Sequence, residues 1–123
     1  MKFTLDARDD INLIRGYAPG EVHIGDRVQH APCIVAAERL ILDWTVSTVT
    51  ALMPADLEPV FALQPDVVLL GTGAKQTFPP APVREAFAAR NVGLEVMDLG
   101  AACRTYNILV QEERRVVAVL FPG

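Results

Sequence analysis

VVLLG (67–71) is a continuous apolar run, LEVMD (94–98) reads as a second buried strand and RVVAVLF (115–121) as a third, and the segments between them carry helical spacing. An unbroken apolar run marks a strand covered on both faces. In PPAPVREAFAARNV (79–92), Val83, Ala86, Phe87 and Arg90 fall in helical register, and Gly93 follows. In AACRTYNILVQEE (101–113), Ala102, Tyr106, Leu109 and Val110 make one stripe. Strand, helix, strand, helix, strand is the order of a largely parallel sheet with right-handed crossovers. The segments 67–70, 94–98 and 116–121 are therefore predicted to be adjacent strands of one sheet, with the direction of the last left open.

Upstream, PADLEPVFAL (54–63) opens with Pro54 in a first-helical position, and Asp56 and Glu58 suit the positive end of a helix dipole. Leu57, Val60 and Phe61 share a face, while Pro59 predicts a short or kinked helix. Further back the segments shorten. INLIRGYA (11–18) and EVHI (21–24) flank the turn Pro19-Gly20, followed by RVQH (27–30), CIVAA (33–37) and RLILDW (39–44). This spacing predicts an antiparallel meander ahead of the α/β part. Trp44 reads as core.

The 123 residues fit one domain, 1–123. Eleven Lys and Arg against fifteen Asp and Glu give a net charge of −4. Nucleic acid is not expected as a partner, because phosphate recognition needs a basic field. No apolar run approaches the ~18 residues of a spanning helix, so direct membrane insertion is not expected. MKFTLDARDD (1–10) shows no signal-peptide core. Cys33 and Cys103 lie far apart with no CxxC, so both are expected as free thiols in a reducing, cytoplasmic setting.

Catalytic signatures are sparse. Ser47 is the lone serine and sits outside any GxSxG, which excludes a nucleophile elbow. His23 and His30 have no carboxylate at zinc-ligand spacing, so no metal is expected. Gly71-Thr72-Gly73-Ala74-Lys75-Gln76 follows an apolar strand as a phosphate loop does. Gln76, however, stands where a dinucleotide fingerprint has its third glycine, and it follows Lys75 where a Walker loop has Ser or Thr. The alternatives there are a tight glycine turn and a small-anion site. In Met97–Asn107, Cys103 and Arg104 are read in the first turn of a helix, with Cys103 and Asn107 on one face. Small residues at 100–102 let that helix start approach a neighbour closely. Either Cys103 is an activated thiol beside an anion-binding Arg104, or it is a packed small side chain beside a structurally paired arginine. In an open parallel sheet, the loops after 67–71 and 94–98 lie at the strand ends where ligands collect.

IRGYAPGEVHIGD (14–26), GTGAKQTFPP (71–80) and EVMDLGAACRTYNILVQEERRVVAVLFP (95–122) together resemble a small family of uncharacterised bacterial and archaeal proteins. Its mitochondrial relatives are the assembly factor 3 proteins of respiratory complex I (NADH dehydrogenase). The resemblance implies a three-layer α/β fold: a central mixed, mostly parallel sheet flanked by helices, with an additional N-terminal antiparallel β portion. It implies no established activity, no catalytic residue and no cofactor. Bacterial members are often encoded near protein-export genes. The chain departs from the family at Leu99, where threonine is usual, and at Glu113, where glycine is usual before the arginine.

The expectation is a non-enzymatic binding or assembly-type module, with a membrane-complex assembly component as its protein partner. The alternative is a small-anion or small-ligand protein or enzyme. Its site would use Gly71, Thr72, Gly73, Lys75, Cys103, Arg104, Thr105 and Asn107. A homo-oligomer is a third reading.

Overall fold

The computed structural model describes residues 1, 2 and 10–123, so most of the opening stretch read above for a signal peptide lies outside the described residues. Three strands form a small antiparallel sheet: β1 (Ile14–Ala18), β2 (Glu21–Ile24) and β3 (Arg27–Gln29). Then come β4 (Cys33–Ala36), β5 (Leu40–Ile41), two short 3-10 turns, α1 (Glu58–Phe61), β6 (Val67–Gly71), α2 (Ala81–Ala89), β7 (Gly93–Met97), α3 (Leu99–Gln111) and β8 (Val116–Leu120). The second sheet runs β5-β4-β8-β6-β7. β6 pairs parallel with both β7 and β8, which fixes the direction of the last strand, while β4 runs antiparallel to β8 and β5.

Each central strand has two buried faces. Cys33, Val35, Leu69, Val116, Ala118 and Leu120 meet α3 and the small sheet on one side. Ile34, Val68, Leu70, Val117 and Val119 meet Val83 and Phe87 of α2, together with Leu52, Leu57 and Val60, on the other. The helices therefore lie on opposite faces. That follows from connectivity: the chain steps outward from β6 to β7 and then back past β6 to β8. Keeping one crossover hand through that reversal requires the second helix on the other face.

Four expectations need correction. The N-terminal strands are not one meander, because β4 and β5 join the large sheet. Pro32 breaks the chain, and Cys33-Ile34-Val35 is apolar enough to be buried on both faces, which the small sheet cannot offer. RLILDW yields only Leu40–Ile41 as strand, and Trp44 packs half-buried against the core, donating to the Asp56 carbonyl (3.0 Å) with its ring tilted 58° to that of Phe121. β7 is an edge strand with Gly93 and Glu95 exposed, not a strand buried on both faces. Helix α3 begins at Leu99, so Cys103 and Arg104 stand past its first turn, beyond the reach of the terminal dipole.

Candidate functional site

The strand ends of β6 and β7 are stitched to the start of α3 by the GTG turn. The Thr72 N–H donates to the Met97 carbonyl (2.9 Å), and the Leu99 N–H donates to the Gly73 carbonyl (2.8 Å). Gly73 has φ +85°, a conformation open to glycine at little cost. Thr72 holds the loop from within: its Oγ1 donates to the Lys75 carbonyl (2.6 Å) and accepts the Thr77 N–H (2.9 Å). Asp98 caps α3, its Oδ1 accepting the Ala101 N–H at 2.9 Å. Two of the orphan N–H groups at this helix start are thus already satisfied, by Gly73 and by Asp98.

A cleft of about 650 Å³ opens beside this junction. Its walls come from the β1–β2 turn (Tyr17–Gly20), the GTG turn (Gly73, Ala74) and α3 (Asp98, Gly100, Arg104). Arg104 is exposed, and its Nη1 donates to Tyr17 Oη at 2.6 Å. It forms no ion pair with Asp98 or any other described residue. Tyr17 Oη donates in turn to Met1 Sδ (3.3 Å), and the Met1 amino group donates to the Tyr17 carbonyl. Gly100 makes this approach possible, since a Cβ there would sit 2.6 Å from Tyr17 Oη.

The candidate residues divide by place. Gly73 and Arg104 share the cleft wall, whereas Lys75 is exposed outside it. Gly71 is buried where a Cβ would meet Ala102 Cβ at 2.8 Å, so it sets how closely α3 packs on β6. Thr72 faces a smaller cleft of about 260 Å³ shared with Thr77 and Ser47. Cys103 is fully buried, and burial pushes its thiol up to about 12; Cys33 is shifted to the same value for the same reason. Both thiols are free. Asn107 is buried with its amide spent on β1: Oδ1 accepts the Ile14 N–H (2.9 Å) and Nδ2 donates to the Ile14 carbonyl (2.8 Å). Thr105 is half-buried on α3.

Tyr17 and Gly100 were not singled out from the sequence. Their one signal was the run of small residues at 100–102, which announced a close approach without naming its partner. His23 pairs with Glu21, whose carboxyl this hydrogen bond holds below the usual range, and His30 Nδ1 lies 3.3 Å from the Gly20 carbonyl. Among the described residues, no cluster of three or more His, Cys, Asp or Glu is arranged to hold a metal ion. No helix among them is long and apolar enough to cross a membrane.

Comparison with known proteins agrees with this architecture. The NMR structure of a Xanthomonas campestris protein superposes with a TM-score of 0.87 at 34% identity, covering 100% of this chain and 93% of that one. A Danio rerio protein named NADH dehydrogenase [ubiquinone] 1 alpha subcomplex assembly factor 3 is 33% identical over 112 residues, 89% of this chain. The chain spans 64% of that relative's length. A Francisella tularensis protein named 13 kDa major membrane protein is 27% identical over 88% of this chain and 89% of its own length. The family model described as protein of unknown function (DUF498/DUF598) matches residues 14–121, so the chain belongs to that family.

Proposed function

We propose that this chain is a non-enzymatic, assembly-type binding module that acts from the cytoplasmic, reducing side on a protein component of a membrane complex. The observation that carries the reading is the similarity, over 89% of the chain, to a relative named as a complex I assembly factor. The site chemistry is compatible with it. The polar groups of the motif that an enzyme would need are committed to packing: Asn107 to Ile14, Thr72 to its own loop, and Cys103 as a buried neutral thiol. What the motif offers to solvent is a shaped cleft with Arg104 on its wall.

The test is affinity capture of the tagged chain from its native lysate in mild detergent, with mass spectrometry of the eluate. A subunit of one membrane complex, recovered reproducibly above an unrelated tagged control, is the expected result. Recovery of the chain alone, or only with copies of itself, overturns the reading and leaves a homo-oligomer.

The cleft favours a second reading, a small-ligand protein whose anion contacts are Arg104 and the GTG turn. Thermal melts with and without phosphate at matched ionic strength check it, because a ligand that binds only the folded state raises the midpoint by mass action.

A further inference from the structure

Resting on the partner-binding reading, we propose that the cleft beside Tyr17 and Arg104 receives an extended acidic segment of the partner protein. Arg104 is the carboxylate contact and Tyr17 the residue that positions it.

Arg104 is a charge held in place but not neutralised. Its hydrogen bond is to a neutral hydroxyl, Tyr17 Oη at 2.6 Å, and no described carboxylate pairs with it. A guanidinium carries five donors in a rigid fork, so one bond to a phenol leaves donors for a planar carboxylate. The hold is built into the fold. Gly100 clears the space in which Tyr17 lies against α3, and the Tyr17 hydroxyl donates its own hydrogen bond to Met1 Sδ.

The charges on the cleft wall select the class of ligand. Arg104 and Asp98 supply its charged side chains, and the charged Met1 amino group on the same wall is spent on the Tyr17 carbonyl. Asp98 spends one oxygen on the Ala101 N–H, and its other oxygen has no partner among the described residues. A ligand that answers both groups brings a carboxylate for Arg104 and N–H donors for Asp98. An acidic side chain on an extended backbone has both. Phosphate can offer Asp98 a P–OH hydrogen, but its second negative charge adds repulsion from that carboxylate, which an acidic side chain on a neutral backbone avoids. The start of α3 contributes little as an anion site, since Gly73 and Asp98 already occupy two of its N–H groups and the Asp98 carboxylate stands beside it. The volume of about 650 Å³ suits a short stretch of peptide. Gly20 on the wall has open space where a side chain would stand, which lets a second backbone come close there.

The experiment is an NMR titration of the isotopically labelled protein with three probes at matched ionic strength: acetyl-Gly-Glu-Gly-amide, its Gln counterpart and inorganic phosphate. The Glu peptide is expected to shift the Gly73, Ala74, Gly100 and Arg104 amides saturably. The Gln peptide should bind about tenfold more weakly, the loss expected of a charge-assisted hydrogen bond. Arg104→Gln should abolish the preference for Glu, and Arg104→Lys should restore part of it. Tyr17→Phe should reduce the Glu preference with the thermal midpoint unchanged. A purely structural Tyr17 would instead lower the midpoint and leave the preference intact. Absence of saturable shifts, equal binding of the two peptides, or tighter binding of phosphate to the same amides overturns the proposal.

Running the capture experiment in parallel separates the two levels. A membrane-complex subunit captured equally by the parent and by Arg104→Gln removes the cleft from the interface while the assembly reading survives. Glu-selective binding without any captured subunit supports the cleft's chemistry and removes the assembly reading.

Discussion

Asn107 shows how a motif residue with functional looks becomes a fastener. Its amide replaces a missing strand neighbour for Ile14, meeting both the N–H and the C=O of that residue across 93 positions of sequence. Asn107→Ala strands two buried backbone groups, and unfolding in urea should show a loss of about 3 kcal/mol. Glu113 is the opposite case. It sits at φ +61° just after α3, in the left-handed region where a side chain crowds the following carbonyl. The resemblance that places glycine here thus has a backbone cause. Glu113→Gly should raise stability by about 0.5–1 kcal/mol, since relief of strain outweighs the greater freedom of glycine in the unfolded chain. Leu99, the other departure, is buried in the core that contains Cys103 and Tyr106, so its side chain contributes packing.

At the level of elements, α3 is pressed close to β6, and Gly71 sets the spacing. A methyl there would lie 2.8 Å from Ala102 Cβ and 3.0 Å from Leu120 Cδ2. Gly71→Ala should therefore cost about 1–3 kcal/mol as overpacking. Adding Ala102→Gly should recover part of that loss, a coupling that a double-mutant cycle measures directly. The contact also marks the limit of what the sequence carried. The three strands and two helices of 67–120 were legible because apolar runs and helical stripes are local signals. The division of the N-terminal strands between two sheets was not. Nothing within Cys33–Ala36 says that its partner is a strand more than eighty residues later. Edge exposure of β7 had one local sign, Glu95 in the middle of LEVMD, which the reading as a buried strand passed over. Arg104 stood out within its motif. Tyr17, which holds it, came from a hairpin 87 positions earlier and carried no sign of the contact.

The molecule as a whole divides its interior into two apolar clusters, one on each face of the large sheet, and both cysteines lie in the cluster beneath α3. Neither thiol should react with a water-soluble thiol reagent in the native protein, and both should react in denaturant; absorbance of the released chromophore counts them. Burial raises each thiol from 9.0 to about 12, so the folded chain holds these protons more tightly than the unfolded chain does. Their neutral form supports the fold fully below the unfolded value, and that support is lost as pH rises through the folded one. Urea midpoints should fall between about pH 8 and about pH 11, and the fall should be smaller in Cys33→Ala and Cys103→Ala than in the parent. The order of strands carries a different consequence. β8 lies between β4 and β6, yet it leaves the ribosome after every other strand of its sheet. Until it emerges, the nascent chain holds β4 and β6 with open edges facing an empty slot, the arrangement most prone to pairing with a neighbouring polypeptide. The large sheet closes only once β8 has emerged, by insertion of a strand into its middle. A ribosome-arrested chain ending before Val116 should be protease-sensitive and retained by chaperones, and one carrying β8 clear of the exit tunnel should be released and resistant.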